Sequence, residues 1–194
     1  MRYEHSVSPQ DVKYQFTWQA SYDLPVGAGR AVNLNGVSNA ILGNWTVDGI
    51  FYLSSGIPIA SPYVGDNMYI NQRADVTCDP SKGAPHTITQ WFTADCFAIP
   101  GSQFVPGSAP AYLDHVRTMG ANNLDLTFSK TFKLGEKRNL RFDISSYNVA
   151  NRAQFSSPNV PTASSGWTPD SGFGQITATS NTPRQFQFGS RFTF

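Results

Sequence analysis

Charge is scarce in this chain. Only 14% of its 194 residues are Asp, Glu, Lys or Arg, where soluble domains carry about 25%. The net charge is +1, and neither sign clusters. That excludes both the basic surface that nucleic-acid binding needs and an acidic tail. Long apolar runs are missing as well, since no window approaches the ~18 uninterrupted residues of a spanning helix. The first ten residues, MRYEHSVSPQ, hold neither an apolar stretch nor a cleavage site of the signal-peptide kind. Cysteine is limited to Cys78 and Cys96, and no stretch carries a helical period.

The chain has aromatic residues in alternation instead. In the closing stretch, RQFQFGSRFTF, Phe186, Phe188, Phe192 and Phe194 share one parity. Gln185, Gln187, Gly189, Arg191 and Thr193 share the other. At 100° per residue the phenylalanines would scatter around a helix, whereas at 180° they line one face of a strand. Chain ends of water-soluble domains tend to be polar and frayed. A greasy terminal strand of ~10 residues suits a tilted bilayer crossing.

The same alternation predicts strands near 12–22, 43–54, 124–134, 139–148 and 184–194. In the first, Val12, Tyr14, Phe16, Trp18, Ala20 and Tyr22 oppose Lys13, Gln15, Thr17, Gln19 and Ser21. In the second, Trp45, Val47, Gly49, Phe51 and Leu53 form the apolar side. Leu124, Leu126, Phe128, Phe132 and Leu134 follow, against Asp125, Thr127, Ser129, Thr131 and Lys133. Lys130 interrupts that greasy stripe, either snorkelling toward headgroups or marking a bulge. Leu140, Phe142 and Ile144 then oppose Arg141, Asp143 and Ser145.

Between these strands lie two long Pro/Gly/Ser-rich segments, 55–121 and 149–183, in which neither period survives. They are expected to be loops, with Phe173–Thr177 extending a strand. The shorter connections are 23–42, punctuated by Pro25, Gly27 and Gly29, and the polar hairpin 135–138. Cys78 and Cys96 read as a disulfide of an oxidising compartment, or as two unrelated thiols.

Short connections alternate with long ones, as in outer-membrane barrels, which have short periplasmic turns and long external loops. On that assignment the last strand ends in the periplasm. Five strands are fewer than the eight of the smallest single-chain barrel, and open edges in lipid leave backbone groups unpaired. The expected fold is therefore all-β, an incomplete antiparallel transmembrane β-barrel occupying residues 1–194.

At this point the residues resemble a known family. The runs WFTADCFAIP (91–100) and NNLDLTFSKTFKLGE (122–136) look like the closing strands of TonB-dependent outer-membrane receptors. They are most similar to the Oar-like group with a carboxypeptidase-regulatory-like domain. YDLPVG (22–27), GNWTVDGI (43–50), SGIP (55–58) and QFGSRFTF (187–194) agree in order and spacing. Ser146 and Ala150 stand where that family usually has aromatics.

The resemblance implies a receptor and transporter barrel in the Gram-negative outer membrane, with lipid around it. It takes part in TonB-dependent uptake or surface binding of a bulky substrate. The plug, the remaining barrel strands and any leader are expected outside this sequence, and the TonB complex would act only through that plug. Gly189, Phe192 and Phe194 resemble the C-terminal signal read by the barrel-assembly machinery. Lumen-facing candidates are Lys13, Gln15, Asp125, Lys133, Arg141, Asp143 and Arg191.

No cofactor is expected and no catalysis. His5, His86 and His115 are scattered, and Asp114-His115 has no nucleophile in a recognisable context. Cys78 and Cys96 with His86 lack the CxxC or HxxxH spacing of a metal site. The alternative is a soluble extracellular β-sandwich for adhesion or carbohydrate binding. There the same aromatic stripes would pack against a second sheet.

Overall fold

The computed structural model describes residues 5–66, 71–102, 104–135, 137–160 and 172–194. Glu136 of the short hairpin and residues 161–171 of the second long segment lie outside them. The chain divides into two compact units.

One unit comprises residues 15–53, 122–153 and 182–194. It is built on a five-stranded sheet in the order β1 (Gln15–Asp23), β2 (Trp45–Ser54), β9 (Ala121–Lys133), β10 (Asn139–Tyr147), β11 (Gln185–Thr193). The predicted strands are all present, and their ends move by up to three residues. Residues 12–14 precede β1, and Gly43 and Asn44 precede β2.

β10 runs antiparallel to both neighbours in unbroken register, from Asn139↔Lys133 to Ser146↔Leu126 on one side. On the other it runs from Asn139↔Thr193 to Tyr147↔Gln185. The hydrogen bond from Leu24 N to Trp45 O and the Phe16–Phe51 ring pair make β1 and β2 antiparallel. Lys130 over the Trp45 ring, and Leu126 facing Gly49, do the same for β2 and β9.

The sheet is not closed: β1 and β11 are its outer strands. Its burial is inverted relative to a soluble domain. No buried apolar side chain of the described residues lies in it, and its buried side chains include Ser129, Lys130 and Ser146. β11 is exposed along all nine of its residues. Phe188 is 75% accessible, Phe186 61% and Phe16 53%.

The connection 23–42 differs from expectation, because it contains a helix, α1 (Gly36–Leu42). Seven residues are too few to show a period. Asn35 caps its N-terminus in extended geometry without a side-chain hydrogen bond.

The second unit comprises residues 1–14, 54–121 and 154–181, which largely coincide with the segments expected to be loops. It holds short antiparallel pairs: β3 (Pro58–Ala60) with β8 (Tyr112–Arg117), β4 (Tyr63–Asp66) with β5 (Asn71–Arg73), and β6 (Asp75–Val76) with β7 (Phe97–Ala98). All buried apolar residues of the described chain are here, around Ile59, Phe92, Phe97, Leu113, Val116 and Phe173. Phe92, Phe97 and Phe173 meet edge-to-face with centroids 5.2–6.0 Å apart. Such pairs are favourable beyond the area they bury.

Phe173 and Ile176 belong to this core, in turn and irregular structure rather than a strand. Among the described residues, the segments expected to be structureless therefore hold the buried apolar core. Cys78 and Cys96 are disulfide-bonded, with Cα atoms 4.9 Å apart.

Candidate functional site

Alternation sorts the sheet into two chemically distinct faces. Leu140 stands opposite Phe132 and Phe192, Ile144 opposite Phe128 and Phe188, and Ser146 opposite Leu126 and Phe186. Phe16 and Phe51 continue this apolar face across β1 and β2. Burying such surface against water-free surroundings is worth about 25 cal/mol per Å². Of these, Phe16, Phe128, Phe186, Phe188 and Phe192 remain exposed within the described residues, so their partner is outside them.

The other face is a hydrogen-bonded polar wall. Ser129 and Asp143 stand opposite each other, and Ser129 Oγ donates to Asp143 Oδ1 at 2.8 Å. Arg141 Nε donates to the same carboxylate oxygen at 2.7 Å, and its Nη2 to Ser129 Oγ at 2.9 Å. Arg191 is the direct cross-strand neighbour of Arg141. Like charges facing one another in a sheet are destabilising, and Asp143 stands beside the pair. Thr127 and Ser145 share a 3.0 Å hydrogen bond, and Tyr147 Oη donates to Gln187 Oε1.

Asp125 accepts from Asn123 Nδ2 at 2.9 Å and from the Asn148 N–H at 2.8 Å, fixing the start of the segment after β10. Gln15 begins β1, and Lys133 ends β9 opposite Asn139. Lys13 lies outside the sheet, in the second unit, where its N–H donates to Ser55 Oγ at 2.8 Å. The structure thus gathers Asp125, Lys133, Arg141, Asp143 and Arg191 on one face and sets Lys13 apart.

Where this face meets the short connections, a polar cavity of about 690 Å³ opens, lined by Asp23, Arg30, Thr46, Asp48, Lys133 and Arg141 among others. Asp23 receives Thr46 Oγ1 at 2.8 Å and Arg30 Nη2 at 3.1 Å. The roles of Ser129, Thr46 and Arg30 were not singled out from sequence. Parity alone puts Ser129 and Thr46 on the polar side, whereas Arg30 sits in a turn region without a period.

Lys130 departs from both sequence readings. The register past it is continuous, so there is no bulge. Its ammonium does not extend outward as a snorkelling lysine would: the residue is 4% exposed, and Nζ donates to the carbonyls of Gly43, Ile41 and Asn39 at 2.5, 3.1 and 3.5 Å. They lie at the C-terminal end of α1, where a cation is favoured; Asn39 O also accepts the Gly43 N–H and Ile41 O the Trp45 indole N–H. Trp45 and Phe132 present their rings to the same ammonium at 5.5 and 5.0 Å.

The second unit is tied by Arg117. Its guanidinium pairs with the carboxylates of Asp11 and Asp114 and donates to the Asp11 and Gly56 carbonyls. The hydrogen bond from Arg117, ahead of all other causes, holds the Asp114 carboxyl below its ordinary value. Hydrogen bonds from Ser81 do the same for Asp79. No group of His, Cys, Asp and Glu among the described residues could hold a metal ion. His5 and His115 are exposed beside an apolar cavity of about 400 Å³, and His86 meets Trp91 edge-on.

A sheet that is greasy and exposed on one side and hydrogen-bonded on the other, with open edges, is a section of a membrane barrel wall. No helix of the described residues is long and apolar enough to cross a membrane. Comparison with protein families agrees: the sequence model of the outer membrane beta barrel domain matches residues 1–187. The chain belongs to that family, and its setting is the lipid of the outer membrane. No curated protein and no solved structure matches it.

Proposed function

We propose that this chain is the C-terminal wall of a TonB-dependent receptor of the Oar-like group, serving uptake or surface binding of a bulky substrate. The observation that carries the reading is the polar face of the sheet. Ser129, Arg141, Asp143, Thr127 and Ser145 form a fixed array of donors and acceptors suited to a protein plug rather than to lipid. The receptor is a transporter and not an enzyme. Its plug engages the TonB complex, and the plug and remaining strands come from outside these residues. The disulfide-tied second unit is the external, ligand-meeting part, and the C-terminus is periplasmic. Gly189, Phe192 and Phe194 serve recognition by the assembly machinery.

The soluble-sandwich reading finds no support in a terminal strand exposed on both sides. The test is cysteine crosslinking in the full receptor. Thr127→Cys, on the polar face, should crosslink to a plug cysteine, and Phe188→Cys, on the apolar face, should not. Equal yields from both positions would defeat the plug reading. A receptor whose substrate accumulation survives loss of TonB would defeat the transport reading.

A further inference from the structure

α1 carries an apolar surface that the barrel wall itself does not use. At 100° per residue, Val37, Ile41 and Leu42 fall on one arc, with Ser38 among them, and Gly36, Asn39 and Ala40 on the opposite one. On the second arc Asn39 is part-buried. Asn39 Oδ1 accepts from the Ala28 N–H at 2.8 Å, and Asn39 and Ala40 border the polar cavity. The first arc faces nothing within the described residues: Val37 is 75% exposed, Ile41 61% and Leu42 60%. Three exposed aliphatic side chains on a seven-residue helix would be a liability in water.

Two contacts fix which side of the sheet that arc adjoins. The Trp45 indole N–H donates to Ile41 O at 3.0 Å, and Lys130 Nζ gathers the Asn39, Ile41 and Gly43 carbonyls. Trp45 and Lys130 both belong to the parity of Phe51, Leu126, Phe128 and Phe132, the lipid-facing side. The end of α1 is therefore held at the foot of the lipid-facing stripe, beside Trp45 and Phe132. Phe192 and Phe194 stack 6.1 Å apart at the same end of the sheet. Amphipathic aromatics at that height are what flanks the apolar band of a membrane barrel.

We infer that α1 is a membrane-interface foot, laying Val37, Ile41 and Leu42 into the lipid headgroup–acyl boundary at the short-connection end of the barrel. The inference rests on the outer-membrane barrel reading and adds a lipid contact that a plain turn would not make. Lys130 is its anchor. By closing the C-terminal carbonyls from the lipid side, the ammonium lets the helix end approach hydrocarbon without unpaired backbone oxygens. The occupant is lipid rather than a second copy of the chain, because the arc is continuous with a stripe already assigned to lipid.

The test places a fluorophore on single cysteines, with the receptor assembled in phospholipid vesicles carrying nitroxides at shallow or deep acyl positions. The native cysteines are paired, so an introduced thiol is the one that reacts. At Ile41→Cys, shallow nitroxide should quench about twofold more than deep, as for a residue buried ~5–10 Å into the boundary. Iodide in the water should reach it less than Asn33→Cys. Leu42→Cys should repeat the pattern should Ile41→Cys fail to assemble.

Phe188→Cys, quenched by the deep probe, reports the barrel reading independently. Iodide access at Ile41 equal to that at Asn33, with Phe188 still deep-quenched, overturns the foot alone. Protection from iodide without nitroxide quenching points to a protein partner and overturns it too. A water-exposed Phe188 overturns both readings.

Discussion

The ring of Phe173 meets that of Phe92 edge-on, with centroids 5.2 Å apart and planes at 90°. One residue comes from each of the two long segments, so this contact joins stretches that by sequence are separate loops. Gly174 lies against the same ring, and the Trp91 N–H donates to its carbonyl at 2.9 Å.

Phe92 is 1% exposed. Phe92→Ala should destabilise the second unit by about 3–5 kcal/mol, the usual cost of emptying a buried phenylalanine site. Limited proteolysis of the assembled receptor should then cut within residues 72–121 while the sheet stays protected. Unchanged cleavage would show that the three-ring cluster is not what holds this unit.

The Cys78–Cys96 bridge closes a separation of 18 residues, which by chain entropy stabilises by roughly 3 kcal/mol. Cys78→Ser with Cys96→Ser should raise protease sensitivity around residues 78–97. Adding reductant to the unmodified protein should give the same cleavage pattern.

Lys130→Met keeps the volume and removes the ammonium; Asn39 O keeps the Gly43 N–H and Ile41 O the Trp45 indole, while Gly43 O loses its donor. Leaving the buried Gly43 carbonyl unmet costs about 1–3 kcal/mol when no water replaces the donor. The unfolding midpoint in urea, measured in lipid vesicles, should fall, and α1 should exchange its amides faster. A midpoint equal to that of the native protein would mean that lipid or water meets that carbonyl unaided.

Asp114 sets an acid limit on the second unit. Its folded value is lowered, first by the hydrogen bond from Arg117. The pairing is therefore fully present above the ordinary aspartate range and is lost as pH falls through the lowered value. Proteolytic resistance of this unit should decline below about pH 4. Asp114→Asn should flatten that decline while lowering resistance at neutral pH.

How much of this was legible follows from what each element repeats. β9 and β11 showed themselves because Leu126, Phe128, Phe132 and then Phe186, Phe188, Phe192 recur every second residue, and lipid on one side preserves that period over a whole strand. The second unit repeats nothing. Ile59, Phe92, Leu113 and Phe173 reach one core from turns and two- to six-residue strands, so the burial of each is set by distant partners rather than by neighbours. α1 was hidden between Gly36 and Gly43, and the function of Lys130 depends on its carbonyls. The lysine that broke the stripe was visible, but what it reaches was not.

One close approach bears on how such a protein is made. In the second unit, a Cβ on Gly120 would overlap the carbonyl oxygen of Ser54, so the last residue of β2 touches the residue just before β9. Pairing those two strands would otherwise wait on a random encounter across the whole 55–120 stretch, a slow search. Once that stretch has packed around Phe92, the strand ends are already side by side, and the remaining step is a local zippering.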